Sequence, residues 1–207
     1  MARKMIGIVD ISIGNLTSIK NAIEYLGFDS EISDNPEKLK DSSHIILPGV
    51  GSFRNAMKSI KENHIDEALH DIVFGEKKPI LGICLGMQIM AESGTEDGVT
   101  PGLGWIKGRV EKLSCDDISF KVPHIGWNNF DLLTKSKLFN GVKIENDFYF
   151  VHSYHVVCEN EDNIIAQSSY CNSFVSAFNK DNIYGVQFHP EKSQDVGLKV
   201  LENFCTL

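Results

Sequence analysis

Short apolar runs along the first half of the chain have the pattern of buried strands. They lie at Met5–Val9, His44–Leu47 and Pro79–Ile83, and segments with helical spacing separate them. Runs that are apolar at consecutive positions are typical of strands buried on both faces of a parallel sheet. The first half is therefore predicted to alternate between buried strands and the helices that connect them.

The segments between these runs carry apolar residues at helical spacing. In the first segment, the positions that recur every three or four residues are Leu16, Ile19, Ala22, Ile23 and Leu26. Gly27 follows and is typical of a helix end, while Ser52 is typical of the start of a second helix that includes Ile60. A third helix is predicted from Leu85 to about Ser93.

After about Gly98 the pattern changes to strands joined by short turns. The predicted strands are Arg109–Leu113, Phe148–Cys158, Ile164–Ser169, Phe174–Phe178 and Ile183–Phe188, and a last helix carries Val196, Val200, Leu201 and Phe204. Since no internal repeat or linker divides the sequence, residues 1–207 are predicted to form a single α/β domain. We expect a mostly parallel sheet flanked by helices, with an antiparallel β-rich addition in the second half.

The charge balance argues against several classes of function. The 207 residues include 20 Lys and Arg against 28 Asp and Glu, a formal net charge of −8, and no basic cluster reverses this locally. Generic binding to nucleic acid is therefore not expected. The apolar runs are far shorter than the ~20 residues of a membrane-spanning helix. The apolar stretch near the N-terminus breaks at Asp10, too early for a signal peptide.

The cysteines are spread along the chain without the Cys-x-x-Cys spacing of zinc and redox motifs. There are five, an odd number: Cys84, Cys115, Cys158, Cys171 and Cys205. This pattern predicts reduced thiols in a cytoplasmic protein, without a disulfide framework and without a zinc site.

Cys84 stands in the sharpest local motif, flanked by two glycines in the segment Gly82–Gly86. The segment joins a predicted strand to a predicted helix, so the glycines would allow a tight turn that lifts the thiol off the edge of the sheet. The start of the helix would favour the thiolate form, which suits a nucleophile. A buried core cysteine explains this pentapeptide equally well.

A histidine and a glutamate near the other end of the chain supply the groups that a thiol nucleophile needs. His189 follows the predicted strand Ile183–Phe188, and Glu191 lies two residues further on, past Pro190. The imidazole would take the thiol proton and later return it to the leaving group, while the carboxylate would fix the imidazole tautomer. By itself, a solvated His-Pro turn with a surface glutamate is the simpler explanation.

The segment Pro48–Gly51 is a candidate for backbone chemistry. Glycines on both sides of Val50 allow its peptide to turn, so that an amide N–H points into a cavity. With the N–H of Leu85 it would form the two-donor oxyanion hole that acyl transfer requires; alone, it is an ordinary turn. Gln88, one helical turn after Cys84, would either reach a ligand near the sulfur or lie at the surface.

Together, these motifs resemble the class I (triad-type) glutamine amidotransferases, and among them the glutaminase subunits of imidazole glycerol phosphate synthase. The motifs that carry the resemblance are Gly14–Leu16, Pro48–Gly51, Gly82–Gln88, Gly102–Trp105, Pro123–Asn128, Tyr149–Tyr154 and Gly185–Ser193. The cysteine elbow and the His-Pro-Glu sequence belong to the whole superfamily. The His-Ile-Gly-Trp-Asn and Tyr-Phe-Val-His-Ser-Tyr sequences are more particular to these subunits.

The resemblance implies a flavodoxin-like fold and a reaction. Glutamine would be hydrolysed to glutamate through a thioester on Cys84, with His189 as general base and acid and Glu191 as the orienting carboxylate. The ammonia would pass to a (β/α)8-barrel cyclase subunit, which makes imidazole glycerol phosphate in histidine biosynthesis. The two subunits would form a heterodimer, and no cofactor or metal is implied.

The resemblance also implies where glutamine and the partner bind. Gln88 and Glu96 would hold the glutamine head group, and the backbone would complete that site at Gly51, His152, Ser153 and Tyr154. Four side chains would lie near the interface with the cyclase: Asn15, Trp127, Tyr149 and Lys192.

The first loop departs from the family pattern, since Ile11, Ser12 and Thr17 stand where tyrosine, glycine and arginine are usual. Arg54 also replaces a commonly small residue. Because the first loop would face the partner, the alternative hypothesis is a paralogous glutaminase that feeds a cyclase-like partner in surface-polysaccharide sugar amidotransfer. Gene neighbourhood would separate these two. Two further hypotheses are a cysteine peptidase and a catalytically silent protein that only binds.

Overall fold

The computed structural model describes residues 4–12, 14–115, 120–143 and 145–207. Within these ranges the strands are β1 (Met5–Val9), β2 (Asp29–Ser33), β3 (His44–Leu47), β4 (Ile80–Ile83), β5 (Ala91–Gly94), β6 (Thr100–Pro101), β7 (Ile106–Lys112), β8 (His124–Asn128), β9 (Asp131–Leu132), β10 (Phe148–His152), β11 (Tyr154–Cys158), β12 (Ile164–Tyr170), β13 (Asn172–Lys180) and β14 (Ile183–Val186). Every strand predicted from the sequence overlaps one of these. The predicted run Phe148–Cys158 divides into two strands at Ser153.

Helices occupy the positions predicted from Leu16, after Ser52, from Leu85 and at the end of the chain, and two short helices at 36–40 and 65–70 were not predicted. They are α1 (Leu16–Tyr25), α2 (Pro36–Lys40), α3 (Phe53–Glu62), α4 (Ile65–His70), α5 (Leu85–Gln88) and α6 (Gln194–Cys205). The predicted cap of α3 is present, because the Ser52 hydroxyl accepts a hydrogen bond from the Asn55 N–H at 3.3 Å. None of the helices in the described ranges is long and apolar enough to cross a membrane.

An eight-stranded sheet with both parallel and antiparallel pairs organises the described residues. Its strand order is β2-β1-β3-β4-β14-β13-β12-β9, parallel from β2 to β14 and antiparallel from β14 to β9. A four-stranded sheet, β11-β7-β5-β6, and the antiparallel pair of β8 and β10 form the β-rich addition. The predicted α/β class, with a parallel sheet first and antiparallel strands later, is confirmed.

The centre of the large sheet brings three distant segments of the chain together. Strands β3, β4 and β14 are neighbours, parallel and buried at every position. Their carboxyl ends therefore meet at one edge, where ligands bind in open α/β sheets. Pro48 follows β3, Cys84 follows β4, and His189 comes three residues after the end of β14.

The predicted helix from Leu85 to about Ser93 is wrong in its second half. Helix α5 ends at Gln88, and residues Ala91–Gly94 form β5 instead. Strand β5 pairs with β7, and the Gly102 N–H donates to the Glu92 carbonyl at 2.9 Å. These long-range backbone hydrogen bonds outweigh the local helical preference of the segment.

The prediction that all cysteines are reduced is also wrong. Cys115 and Cys171 form a disulfide, with their Cα atoms 5.1 Å apart. Cys171 lies at the turn between β12 and β13, where it adopts a φ of +61°. The turn faces the segment after β7, and the Asn172 side chain donates to the Ser114 carbonyl at 3.0 Å. A contact between residues 56 positions apart leaves no mark in cysteine spacing.

Candidate active site

Cys84 sits on a tight turn between β4 and α5, in a strained backbone conformation with a φ of +53°. A side chain at Gly86 would overlap the Leu47 carbonyl oxygen, and a Cβ at Gly82 would lie 2.7 Å from the Met87 Cα atom. The two glycines are therefore required by the close approach of the turn to β3 and of α5 to β4. The sequence interpretation of this motif as an elbow agrees with this geometry.

His189 and Glu191 form a buried pair beside this elbow. The His189 Nδ1 atom lies 2.8 Å from the Glu191 Oε1 atom, and the two side chains are only 4% and 2% exposed. A short 3-10 turn at Pro190–Lys192 carries the glutamate back toward the ring. The Nε2 atom of His189 is buried and has no hydrogen-bond partner in the described part of the chain.

The charges around His189 favour the protonated ring. Burial lowers the pKa of His189, but the negative charges at Cys84 and Glu191 act in the opposite direction and prevail, raising the pKa to about 10. At neutral pH the His189 ring is therefore an imidazolium. A positive charge beside a cysteine favours the thiolate, which is the nucleophilic form.

The Cys84 sulfur also contacts groups that the sequence analysis did not single out. The thiol donates to the Val151 carbonyl at 3.7 Å, and the Gln187 Nε2 atom donates to the sulfur at 3.6 Å. Gln187 is fully buried and accepts a hydrogen bond from Gln88 at 3.0 Å. The signal available in the sequence was a polar residue within the otherwise uncharged and mostly apolar predicted strand Ile183–Phe188, two positions before His189.

The backbone N–H of Leu85, one of the two predicted oxyanion donors, is already engaged in a hydrogen bond within the protein. It donates to the carbonyl of Gly49 at 3.3 Å, across the gap between the β3 and β4 loops. Gly49 packs closely there, since a Cβ on it would lie 3.1 Å from the Leu85 Cβ atom. The neighbouring residue Val50 is 36% exposed and lines the cavity. In this conformation the two amides do not form an oxyanion hole.

A cavity of about 390 Å³ opens above Cys84 and brings most of the predicted site residues together. It is lined by Val50, Gly51, Cys84, Leu85, Gln88, Glu96, Pro123, Val151, His152, Ser153, Tyr154 and Lys192. All the residues predicted to bind glutamine are among them. The cavity is a suitable size for a small polar ligand whose reactive group reaches the sulfur.

Arg54 and Glu96 hold the loop that forms one wall of this cavity. The Glu96 Oε2 atom accepts a hydrogen bond from the Phe53 N–H at 2.7 Å, at the start of α3. Arg54, the next residue, donates to the Asp97 carbonyl and, at 3.4 Å, to the Thr100 hydroxyl. Arg54, which departs from the family pattern, therefore links the loop that carries Glu96 to α3.

Two buried histidines support the opposite wall. The His152 Nδ1 atom lies 2.9 Å from the Tyr154 carbonyl, so this nitrogen carries the proton. Its Nε2 atom accepts from His124 at 3.1 Å. Burial lowers the pKa of His124 to about 4 and that of His152 to about 3, so both rings are neutral at pH 7.

The residues predicted at the partner interface lie near the mouth of the cavity. Trp127 is 48% exposed and its ring lies 5.8 Å from that of Tyr149 on the neighbouring strand. The Lys192 ammonium is 5.7 Å from the centre of the Tyr149 ring. Asn15 caps α1 and lines a small crevice with Lys192. Ile125, 59% exposed, adds a further apolar side chain on β8.

Comparison with known proteins identifies the family. The family model described as "Glutamine amidotransferase class-I" matches residues 7–206. The chain belongs to this family. This glutamine amidotransferase is 48% identical over 203 residues to imidazole glycerol phosphate synthase subunit HisH 1 of Campylobacter jejuni, a match that covers 98% of this chain and 100% of the relative.

Another relative agrees with this assignment, and two solved structures share the fold. The amidotransferase is 43% identical over 205 residues to subunit HisH of Leptospira borgpetersenii, with 98% and 100% of the two chains covered. The fold is similar to PurLQS from Thermotoga maritima, with a TM-score of 0.76 at 18% identity over 99% of this chain and 98% of that one. A glutamine amidotransferase from Thermotoga maritima gives a TM-score of 0.66 at 15% identity, covering 92% of this chain and 77% of that one.

Proposed function

We propose that this amidotransferase is the glutaminase subunit of an imidazole glycerol phosphate synthase. It hydrolyses glutamine to glutamate and ammonia, and the ammonia passes to a (β/α)8-barrel cyclase subunit in histidine biosynthesis. The observation that carries the chemistry is the buried pair of His189 and Glu191 beside Cys84. The Cys84 side chain itself lines the cavity. The names of the full-length relatives support the pathway.

In the proposed reaction, Cys84 is the nucleophile and His189 transfers the protons. The thiolate attacks the side-chain amide carbon of glutamine, and the carbonyl oxygen takes the negative charge. The C–N bond then breaks, and the proton on His189 goes to the departing ammonia. Next, His189 takes a proton from water, which attacks the thioester. The C–S bond breaks and releases glutamate, while Glu191 keeps the imidazole oriented throughout.

The oxyanion must be stabilised by the amides of Val50 and Leu85. The Leu85 N–H donates a hydrogen bond to the Gly49 carbonyl at 3.3 Å. The peptide between Gly49 and Val50 therefore has to rotate before the oxyanion hole forms. Glycine at position 49 makes the rotation sterically cheap. The partner, bound at the nearby face, is the proposed trigger of the rotation.

Glutamine is held by the residues that line the cavity. Glu96 is the group with the charge to bind the α-ammonium, and one of its oxygens is already oriented by the Phe53 amide. Gln88 supports the head group. The backbone completes the site at Gly51, His152, Ser153 and Tyr154.

The partner binds at the face defined by Asn15, Trp127, Tyr149 and Lys192. Trp127 is exposed beside the half-buried Tyr149, and aromatic side chains of this kind are typical anchors of a protein interface. The alternative partner, in surface-polysaccharide sugar amidotransfer, is not favoured, because the relatives with nearly full coverage are named as subunits of imidazole glycerol phosphate synthase.

Partner dependence tests this proposal. The purified chain alone should release glutamate from glutamine slowly, and the histidine-pathway cyclase of the same organism with its ribotide ligand should raise the rate at least ~10²-fold. That factor is the typical effect of one oxyanion donor on kcat. The measurement is glutamate release in both states. Trp127→Ala should reduce the stimulation without changing the basal rate.

Two outcomes would contradict the proposal. Full activity of the isolated chain would mean that the oxyanion hole forms without the partner. If the rate of glutamate release were the same with and without the cyclase, the proposed reaction would stand, but the assignment to histidine biosynthesis would be wrong.

Arg54→Ala should raise the KM for glutamine about two- to tenfold and leave kcat nearly unchanged. One net hydrogen bond is worth about 0.5–1.5 kcal/mol, and the bonds from Arg54 hold the loop that carries Glu96. Steady-state kinetics with the stimulated enzyme measures both constants. Arg109→Ala is the matched control, because Arg109 is an exposed arginine paired with Glu111 on β7. An unchanged KM would show that the loop needs no such support.

A further inference from the structure

Gln187 connects the glutamine site to the nucleophile through a chain of hydrogen bonds. Gln187 directly follows β14, and its side chain is fully buried next to the sulfur of Cys84. Its Oε1 atom accepts from the Gln88 Nε2 atom at 3.0 Å, and its own Nε2 atom donates to the Cys84 sulfur at 3.6 Å. Buried amides of this kind are costly unless both ends are paired.

The orientation of the Gln187 amide follows from its neighbours. The Gln88 Nε2 atom donates to two acceptors, the Tyr154 carbonyl at 2.8 Å and the Gln187 Oε1 atom. A backbone carbonyl only accepts, so the nitrogen end of Gln88 must face it. The oxygen end of Gln187 must then face Gln88, which leaves the Nε2 donor directed at the sulfur.

A donor directed at the sulfur favours the charged state. The neutral thiol donates to the Val151 carbonyl at 3.7 Å and accepts from Gln187. Once the proton has moved to His189, the sulfur is an acceptor only, and the hydrogen bond from Gln187 becomes charge-assisted. Such bonds are roughly twice as strong as neutral ones.

We propose that Gln187 is a catalytic residue that stabilises the Cys84 thiolate with its Nε2–H, in an orientation set by Gln88. This inference rests on the proposed function, in which the thiolate attacks glutamine. It adds a second stabilising group to the imidazolium of His189. The Gln187 donor acts both on the resting thiolate and on the thiolate that leaves when the thioester is hydrolysed.

Alkylation of Cys84 by iodoacetamide, measured from pH 4 to pH 9, tests the proposal without glutamine and without the partner. The other thiols do not interfere, since burial raises the pKa of Cys158 and of Cys205 to about 12. Gln187→Leu should raise the pH midpoint of alkylation by about one unit, because the variant loses a hydrogen bond that is about twice as strong to the thiolate as to the thiol.

Two further variants complete the design. Gln187→Glu keeps the size and the acceptor for Gln88 but brings a carboxylate to the sulfur, so its midpoint should rise further than that of Gln187→Leu. Asn203→Leu is the matched control, because Asn203 is a buried amide on α6 that donates to the Leu138 and Asn140 carbonyls. Its alkylation midpoint should equal that of the unmodified chain.

The unmodified protein supplies a second measurement in case a variant fails to fold. The side-chain amide resonances of Gln187 should shift with pH at the same midpoint as alkylation, and this shift should vanish in Cys84→Ala. An unchanged midpoint in Gln187→Leu, or amide resonances that do not respond to pH, would overturn the proposal. Failure of the proposed function would appear separately, as a lack of glutamate release with normal alkylation.

Discussion

Cys84→Ala should abolish partner-stimulated glutamate release, a loss of at least ~10⁴-fold. Removal of the nucleophile from a cooperating catalytic unit has effects of this order and larger. The elbow places one sulfur at the base of the cavity, and the neighbouring side chains Gln88 and Gln187 are uncharged amides that do not form acyl intermediates. Glutamate release in the presence of the cyclase and its ligand measures the effect.

The Cys84→Ala protein should still bind glutamine, because the binding residues are separate from the nucleophile. Isothermal titration calorimetry with glutamine checks this point and shows that the site is intact. Cys158→Ala is the matched control, since Cys158 is a free thiol on β11 that does not line the cavity. Release at the wild-type rate by Cys84→Ala would refute the assignment of the nucleophile.

The centre of the fold was predictable because its signals are local. The apolar runs of β3, β4 and β14 are continuous, and a continuous buried run has few alternatives in an α/β chain. The elbow was equally readable, because Gly82 and Gly86 flank Cys84 in one short motif, although the contact that requires Gly86 is with the Leu47 carbonyl of β3. The adjacency of β4 and β14 then brings Cys84 and His189 to the same edge of the sheet.

Features that depend on distant contacts were not predictable in the same way. The side chain of Gln187 contacts a sulfur 103 positions away, and Cys115 pairs with a residue 56 positions away. The occupied amide of Leu85 depends on the rotation of one peptide in another loop. Local spacing carries no information about any of these three. The end of α5 was misplaced for the same reason, because pairing with β7 decides it.

His189→Ala should lower the stimulated rate of glutamate release at least ~10²-fold, the lower end of the usual effect of a positioned proton-transfer residue. The variant loses the imidazolium that pairs with the thiolate, as well as the proton donor for the departing ammonia. Glu191 would then remain as a buried carboxylate without its 2.8 Å partner. The rate of glutamate release at pH 7, with the cyclase present, gives the magnitude.

His189→Ala should also slow the alkylation of Cys84 at pH 7, because the thiolate loses the positive charge beside it. This second effect separates a role in proton transfer from a general loss of structure. His44→Phe is the matched control: His44 is buried, packs its ring edge-on at 5.5 Å from Phe204, and lies outside the cavity. It should retain both the rate and the alkylation profile. A loss of less than ~10²-fold in His189→Ala would mean that another group accepts the thiol proton. The neutral ring of His152, whose pKa burial lowers to about 3, is poorly suited to that role, since a base of such low pKa does not hold the proton at neutral pH.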